Sequence, residues 1–348
     1  MVVHKVDRPF GAEGKVLLFE AMDPTEKSVA WLVERGVDVS VGKKMWDPDF
    51  RRFSEDEIIH AAEGCVAVMG ASGAHFTRRV IASLPTLRII SKFGMGYDSI
   101  DVGAATEHGI VVTNTPDDFN LTAVAEHTIA SILALKKQLL VWTPAFMRSG
   151  GWRGDVFARY LTGNTIGIVG FGRIGRSVAT RLAGWGVKIV IYDPFARDLP
   201  EGVTSVSLDD LLRTSDVVTL HATPTAETHH MIGSAELALM KPSALLVNTG
   251  RHSLVDYGAL REVLRKRRIA GAALDVFEIE PPDPQDMLFR LDNVLVTPHS
   301  AAWTFETVES MGWHGARNLW ALMSGEGTAD IVNPEVLTMI NGRESVEE

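Results

Sequence analysis

The sequence has almost no cysteine: Cys65 is the single such residue among 348. One thiol excludes a disulfide within the chain, and with it the class of small secreted domains that depend on disulfides. Cys65 lies in the apolar stretch GCVAVMG, a pattern typical of a buried strand. We therefore interpret it as a core thiol rather than a nucleophile.

Long apolar runs are also missing. No stretch approaches the ~20 apolar residues that cross a bilayer. The first residues, MVVHKVDRPFGAEGK, contain no uninterrupted apolar segment before a small-residue cleavage site. These features predict a cytoplasmic protein that does not act in the membrane.

An excess of positive charge is lacking as well, because the formal net charge is -10. Such a chain repels a polyphosphate backbone over most of its surface, so we do not expect nucleic acid as a partner. The one dense basic run, at 265–268, ends a helical pattern, where cations interact favourably with the helix dipole. We interpret it as part of that helix.

The chain is long enough for two domains, and strand and helix patterns alternate along it. Between residues 15 and 115 the strand patterns are KVLLFE, VDVSVG, CVAVMG, LRIISKFG and GIVVTN, separated by helical stretches. This alternation predicts a first α/β unit with right-handed crossovers and a mostly parallel sheet.

A long helical pattern from Leu121 to about Phe146 leads to a second alternation. Its six predicted strands lie at 165–170, 187–192, 216–220, 244–248, 269–274 and 293–296, the number expected of a doubly wound dinucleotide-binding sheet. A last helix, near Thr304 to Met323, is predicted to pack back on the first unit.

The second unit opens with TIGIVGFGRIGRSVATRLAGWGVKIVIYDP (165–194), which has glycines at 170, 172 and 175. Gly-x-Gly-x-x-Gly between a strand and a helix permits a tight turn and lets pyrophosphate approach the helix amides. Asp193 ends the next strand, where a carboxylate accepts ribose hydroxyls and repels a 2′-phosphate. NAD is therefore predicted over NADP, an inference that the nearby cation of Arg197 weakens slightly. The alternative is that the glycines form a purely structural turn that binds no nucleotide.

Three polar residues, Arg251, Glu280 and His299, follow later predicted strands, at the edge of a parallel sheet where ligands bind. Reduction of a 2-keto acid needs a cation for the carboxylate and a proton donor for the new hydroxyl. Arginine suits the first task and histidine the second. A glutamate beside the histidine would keep the ring protonated and oriented. Taken singly, each could be a surface, turn or ion-pair residue.

At this point the sequence resembles the D-isomer-specific 2-hydroxyacid dehydrogenases over roughly residues 60–325. The motifs that carry the resemblance are GIVGFGRIG, SDVVTLHATPTAETHHMI, MKPSALLVNTGR, LDVFEIEPP and VTPH. The resemblance implies that Arg251 orients the substrate, Glu280 pairs with the histidine, and His299 is the acid and base. It also implies an NAD-dependent enzyme.

The same resemblance assigns binding residues in both units. Backbone amides at Gly94, Met95 and Gly96 would receive the substrate carboxylate. The cofactor-binding residues would be Gly170, Gly172, Arg173, Ile174, Gly175, Asp193, Thr223, Thr249 and Asp275, of which Asp275 and the backbone near Thr249 would hold the nicotinamide carboxamide. No metal site is expected. For Gly94, Met95 and Gly96, the alternative is a plain turn at a strand end that binds no ligand.

The family's arrangement implies two doubly wound α/β domains whose cleft closes over both ligands. A Rossmann NAD-binding domain (117–305) would be inserted into a flavodoxin-like substrate domain (1–116 with about 306–348). It also implies a homodimer built largely on the helix after Asn120. The chain departs from the family after Arg251, where His252 and Ser253 replace a small pair. His252 is expected to face solvent rather than narrow the site, and Trp303 could line the pocket or belong to the core.

Several functions remain open at this stage. We expect a small unphosphorylated 2-keto acid, such as glyoxylate or hydroxypyruvate, because the regulatory domain of many 3-phosphoglycerate dehydrogenases is expected to be missing. Lys92, beside the carboxylate-binding loop, keeps a phosphorylated substrate possible. Glu280 argues against a formate dehydrogenase, which carries glutamine there. An NAD-sensing interaction protein like the C-terminal-binding-protein corepressors is the alternative to an enzyme.

Overall fold

The structure is a computed structural model that describes residues 14–44, 52–70, 73–154 and 156–343. The prediction about a leader segment therefore falls almost entirely outside the described residues. The chain divides into two compact units. The first comprises Met1–Asn120 and Thr304–Glu348, and the second comprises Leu121–Trp303.

The first unit is built on five parallel strands in the order β2-β1-β3-β4-β5, the flavodoxin-like order. Its strands are β1 (Lys15–Ala21), β2 (Asp38–Lys44), β3 (Cys65–Gly70), β4 (Ile89–Lys92) and β5 (Val111–Thr113). Its helices are α1 (Lys27–Val33), α2 (Glu55–Ala62), α3 (Arg78–Ala82), α4 (Val102–Glu107), α11 (Phe305–Ser324) and α12 (Glu335–Arg343). Cys65 is fully buried, and burial raises the pKa of its thiol.

Helix α11 returns the chain to this first sheet. Thr304 caps it by accepting the amide of Thr307, and the Gly315 carbonyl accepts the Ser91 hydroxyl at 3.1 Å. The helix packs closely here, because a Cβ at Gly315 would lie 2.4 Å from the Phe93 ring. Helix α12, which follows it, has no counterpart in the predicted elements.

The second unit contains seven parallel strands in the order β12-β11-β10-β9-β6-β7-β8. Its strands are β6 (Thr165–Val169), β7 (Lys188–Tyr192), β8 (Val203–Ser205), β9 (Val217–Leu220), β10 (Leu245–Asn248), β11 (Gly271–Leu274) and β12 (Val294–Val296). Its helices are α5 (Asp118–Lys136, which contains the boundary between the units), α6 (Pro144–Arg148), α7 (Arg173–Leu182), α8 (Leu208–Thr214), α9 (Ser234–Leu239) and α10 (Tyr257–Arg265). The order reverses between β6 and β9, the switch point where dinucleotides bind.

Two predictions about the second unit are wrong in detail. The sheet has a seventh strand, β8, which is three residues long and largely exposed at the sheet edge, so no apolar pattern marks it. The helix predicted to reach Phe146 ends at Lys136, because Gln138 adopts a left-handed backbone with φ 58°. A separate helix then starts at Pro144, capped by Thr143.

The basic run at the end of α10 is paired with acidic side chains. Glu262 receives both Arg265 and Lys266, three and four residues along the helix, and Arg267 lies 2.6 Å from Asp292. This pairing agrees with the interpretation of the run as the solvated end of a helix.

Candidate active site

The glycine turn joins β6 to α7 at the switch point of the second sheet. Gly170 has φ 87°, and a Cβ there would lie 2.4 Å from the amide nitrogen of Ala222. A Cβ at Gly175 would lie 2.3 Å from the Gly170 carbonyl oxygen. These two glycines are needed for the fold, because backbone atoms occupy the space of any side chain.

Gly172 differs, because a Cβ built there meets nothing within 4 Å. It is exposed and caps α7, so the space in front of the helix amides is open. An anion such as pyrophosphate fits this position because the first amides of a helix and the helix dipole both favour negative charge. The next two residues lie in different environments. Arg173 is exposed at the start of the helix, whereas Ile174 packs against the core.

Asp193 lies beside this turn, after β7. Its Oδ2 accepts the Phe171 amide and its Oδ1 accepts the Phe195 amide, each at 2.8 Å. It lines an open pocket of about 600 Å³ with Phe171, Gly172, Arg176, Phe195, Ala196, Arg197 and Asp198. A pocket of this composition, with a carboxylate beside a glycine turn, fits the adenosine half of NAD.

Arg176 gives that pocket its shape. Its guanidinium donates to the carbonyls of Arg197 and Asp198, at 2.6 and 3.2 Å, and lies 4.7 Å from the centroid of the Phe171 ring. The loop after Asp193 is therefore tied to α7.

His299 and Glu280 form a hydrogen-bonded pair in the second unit. Nδ1 of His299 lies 2.8 Å from Oε2 of Glu280, and Oε1 of Glu280 accepts the Phe277 amide at 3.0 Å. Because an ionised carboxylate can only accept, the His299 ring donates from Nδ1. The histidine side chain is 49% exposed, and Nε2 is the ring atom that remains for proton transfer.

Asp275 fixes the turn that carries His299. Its buried carboxylate, 1% exposed, accepts the Thr297 hydroxyl at 2.5 Å, the Ser300 amide at 2.8 Å and the Ala301 amide at 2.9 Å. The Asp275 carbonyl accepts the His299 amide at 2.8 Å. These bonds hold His299 at φ 51°, in the left-handed region that residues other than glycine adopt only at an energetic cost.

Arg251 precedes the short helix 252–254, and one of its guanidinium nitrogens donates to the Gly250 carbonyl at 3.0 Å. The pKa of the neighbouring His252 depends on burial and on nearby charged groups. Burial lowers the pKa of His252, while Glu280 raises it and Arg251 lowers it. Arg251 and Glu280 therefore lie within electrostatic reach of one ring. His252 is partly buried.

The remaining cofactor-binding predictions lie at other strand ends of this sheet. Thr249, after β10, is 8% exposed, and its hydroxyl lies 2.9 Å from that of Thr128 on α5. Thr128 donates to the Val124 carbonyl, so Thr249 is the donor between the two threonines. Thr223, after β9, is exposed, and its carbonyl accepts the Thr228 hydroxyl at 2.7 Å.

The predicted carboxylate-binding loop belongs to the first unit, after β4. The Gly94 amide already donates to the Thr115 hydroxyl at 2.7 Å, and the Met95 carbonyl accepts the Asn114 amide group at 2.9 Å. Within the described part of the chain, no group accepts from the amides of Met95 and Gly96. The two later amides are thus the ones suited to an anion.

Sequence reasoning missed the partners that hold these groups. His127 on α5 contacts Thr297, with Nε2 3.1 Å from Oγ1, and the helical pattern around it carried no sign of this contact. Trp303 is 41% exposed, and its amide closes a turn onto the Ser300 carbonyl, so it is not a core residue.

Among the described residues, no cluster of histidine, cysteine and carboxylate groups is suited to a metal ion. In the same part of the chain, no helix combines the length and apolar character needed to span a bilayer.

Comparison with known proteins agrees with this geometry. The family model for the D-isomer specific 2-hydroxyacid dehydrogenase NAD binding domain matches residues 129–301. A glyoxylate reductase of Thermococcus litoralis is 43% identical over 272 residues, covering 75% of this chain and 81% of that protein. A D-3-phosphoglycerate dehydrogenase of Archaeoglobus fulgidus is 35% identical over 323 residues, covering 92% of this chain and 59% of that protein.

The fold is likewise that of solved relatives. A glyoxylate reductase structure from Paecilomyes thermophila superposes with a TM-score of 0.79 at 28% identity, covering 93% of this chain and 99% of that one. The predicted fold class, family and NAD cofactor are confirmed by these comparisons. The chain belongs to the D-isomer specific 2-hydroxyacid dehydrogenase family, as an NAD-dependent enzyme that transfers hydride between a 2-keto acid and a D-2-hydroxy acid.

Proposed function

We propose that the chain reduces small, unphosphorylated 2-keto acids such as glyoxylate and hydroxypyruvate, with His299 as the proton donor. The observation that carries the proposal is the chain of contacts from the Phe277 amide through Glu280 to Nδ1 of His299. It holds the imidazole in one orientation, with Nδ1 donating to the carboxylate, so that Nε2 is the nitrogen left for the substrate.

The residues divide the chemistry as follows. Bound NADH supplies the hydride to the carbonyl carbon. Arg251 binds the carboxylate of the keto acid with its two-pronged guanidinium and polarises the carbonyl. His299 transfers the proton on Nε2 to the carbonyl oxygen as that oxygen becomes a hydroxyl, and Glu280 retains its charge. In the reverse direction the neutral ring accepts the proton, so one residue serves as acid and base.

Lys92 supports an unphosphorylated substrate. Its side chain is buried, 8% exposed, and its ammonium donates to the Phe93 carbonyl at 2.6 Å. A phosphate tail would have to compete with that backbone carbonyl for a cation that is shielded from solvent. The names of the relatives do not decide between an unphosphorylated and a phosphorylated substrate, because a glyoxylate reductase and a D-3-phosphoglycerate dehydrogenase both match.

The test is the loss of NADH absorbance with glyoxylate, hydroxypyruvate, pyruvate and phosphohydroxypyruvate as substrates. We expect kcat/KM to be highest for one of the unphosphorylated acids and at least about 10-fold lower for the phosphorylated one, because one missing charge contact typically changes binding by that factor or more. Equal or faster turnover of the phosphorylated acid would assign the chain to phosphoglycerate metabolism instead.

We also propose a homodimer. The large side chains exposed after α5 are Leu139, Trp142, Met147, Trp152, Phe157 and Tyr160. Trp152, Phe157 and Tyr160 are 65%, 78% and 80% exposed, and large apolar side chains left this exposed within one segment often mark an interface. Helix α5 itself is mostly buried within the chain, which favours the segment 139–160 over the helix as the contact surface.

Light scattering after size-exclusion chromatography tests the dimer. The double variant Trp152→Ser with Phe157→Ser is expected to elute as a monomer, whereas Val33→Ser, which removes a 54% exposed apolar side chain elsewhere, should keep the mass of the unaltered protein. A monomeric mass for the unaltered protein at micromolar concentration would contradict the proposal.

A further inference from the structure

The turn that carries His299 is supported from a second side, by the histidine of α5. Nε2 of His127 lies 3.1 Å from Oγ1 of Thr297, and that oxygen lies 2.5 Å from Oδ1 of Asp275. Nε2 of His127 lies 4.0 Å from Oδ1 of Asp275. The three side chains therefore form a line that ends at the buried carboxylate holding the turn.

The available protons determine which group donates in each of the two hydrogen bonds that join His127, Thr297 and Asp275. A threonine hydroxyl has a single proton, and an aspartate carboxylate can only accept. Thr297 therefore donates to Asp275, and its oxygen lone pair must accept from His127. The ring of His127 accordingly carries a proton on Nε2. A ring with the proton on Nδ1 alone would place two acceptors 3.1 Å apart.

We propose that His127 is a positioning residue for the proton-donating histidine. By donating to Thr297 it fixes the rotation of that hydroxyl, so that the hydroxyl proton stays directed at Asp275 and both oxygens of Asp275 remain aligned with the turn. The inference rests on the proposed role of His299, which this turn presents to the substrate. His127 itself touches neither Glu280 nor His299 through any hydrogen bond in the described part of the chain.

Burial explains why the alignment depends on one donor. The side chain of His127 is 23% exposed and Asp275 is 1% exposed, so little water can replace a missing hydrogen bond. His299 also sits at φ 51°, which persists only while its surroundings enforce it. Loosening the carboxylate would let the turn relax and would move Nε2 of His299 from its working position, and displacements of about 1 Å can cost up to about 10²-fold in rate.

The test compares His127→Leu with His127→Gln, because the glutamine side-chain amide can donate from nearly the place of Nε2. We expect the leucine variant to lose about 10-fold or more in kcat on glyoxylate, with KM for NADH within about twofold of the unaltered enzyme. The glutamine variant is expected to keep most of kcat. Glu126→Gln, at the exposed neighbour on the same helix, is the matched control and should leave kcat unchanged.

A double-mutant cycle tests whether His127 acts through Thr297. Thr297→Val should cost about as much as His127→Leu, and the two together little more than either alone, because they break the same line. Thr297→Ser keeps the hydroxyl and should retain kcat, which separates loss of the bond from loss of the fold. Multiplicative losses in the double variant, or equal losses in the leucine and glutamine variants, would overturn the inference.

A spectroscopic measurement on the protein without cofactor separates this inference from the proposed function. The hydrogen-bonded Nδ1 proton of His299, assigned by its disappearance in His299→Ala, should broaden or shift in His127→Leu and be restored in His127→Gln. An unchanged signal in the leucine variant would reject the positioning role. Full activity of His299→Ala would instead reject the proton-donor role, and the spectroscopic result would still stand.

Discussion

Glu280 binds His299 with one carboxylate oxygen and the protein backbone with the other. Oε2 lies 2.8 Å from Nδ1 of the ring, and Oε1 accepts the Phe277 amide at 3.0 Å. The carboxylate is 22% exposed, so it is anchored but not sealed from solvent. Its two tasks, orientation and charge, can be separated by substitution.

Glu280→Gln keeps the shape of the side chain and removes its charge. We expect kcat for keto-acid reduction to fall about 10- to 100-fold, because a neutral amide accepts the Nδ1 hydrogen bond more weakly than a carboxylate does, and general acid catalysis typically contributes 10² to 10⁴. Steady-state kinetics measures the effect, with KM for NADH expected within about twofold. A variant with unaltered kcat would show that the carboxylate charge has no part in proton transfer.

His299→Ala removes the proposed proton donor itself. We expect kcat to fall by about 10² to 10⁴, the range that general acid–base catalysis supplies. The dissociation constant of NADH, measured by fluorescence titration, should change less than about threefold, since the glycine turn and Asp193 are untouched. Comparable losses in kcat and NADH binding would mean that His299 supports the fold of the cofactor site rather than the reaction.

Substitutions at two glycines of the turn should have opposite consequences. Gly172→Ala places a methyl group in open space before α7, so we expect a stability change within about 1 kcal/mol and weaker binding of NADH. Gly175→Ala places a methyl group 2.3 Å from a backbone oxygen, so the free energy of unfolding should fall by about 1–3 kcal/mol. Thermal unfolding and NADH titration of both variants separate the effects. Tight NADH binding by Gly172→Ala would show that the pyrophosphate lies elsewhere.

The glycine turn and the pairing of Glu280 with His299 could be predicted because each is local or chemically distinctive. Gly170, Gly172 and Gly175 stand between a strand and a helix pattern, and Glu280 and His299 follow strands whose carboxyl ends must share one edge of a parallel sheet. Strand β8 and the end of α5 at Lys136 escaped prediction for the opposite reason. A short exposed edge strand has no apolar period, and the left-handed backbone at Gln138 is not signalled by a glycine.

The other contacts of the site depend on tertiary structure and could not be predicted from the sequence. Asp275 reads from sequence as a strand-end carboxylate, yet its oxygens accept groups from Thr297, Ser300 and Ala301. The contact between His127 and Thr297 joins residues 170 positions apart. No periodic pattern carries information about such a pairing, because it depends on how α5 packs within the second unit.

Asp193→Ser should relax the preference for NAD over NADP. The carboxylate repels a 2′-phosphate, and the shorter neutral side chain removes that repulsion while Arg197 remains in the same pocket. We expect the ratio of kcat/KM for NADH to that for NADPH to fall about 10-fold or more, consistent with loss of one like-charge contact. Asp198→Asn is the control, since it lines the same pocket and asparagine tolerates its φ of 52°. An unaltered ratio in Asp193→Ser would mean that another group reads the ribose.

His221 should make stability depend on pH in a window of its own. It follows β9, its Nε2 lies 2.9 Å from Oγ1 of Thr219, and Nδ1 is buried with no partner among the described residues. Burial lowers the pKa of His221 to about 4. The unfolded chain, with a histidine pKa near 6.5, therefore binds more protons between about pH 6.5 and 4. Stability is complete above pH 6.5 and is lost as the pH falls toward 4, by roughly 3 kcal/mol for a shift of this size.

Denaturant unfolding of the unaltered protein and His221→Asn from pH 7 to 4.5 measures this contribution. The asparagine variant should lose less stability across the window, since it has no proton to gain on unfolding. Burial also lowers the pKa of His75 and His252, and both residues are present in both proteins, so their shared contribution cancels in the difference. The lowered carboxyl pKa of Asp216 acts below this window, because its unfolded value is already near 3.8. Parallel stability curves for the two proteins would show that the His221 ring gains a proton in the folded state as readily as in the unfolded chain.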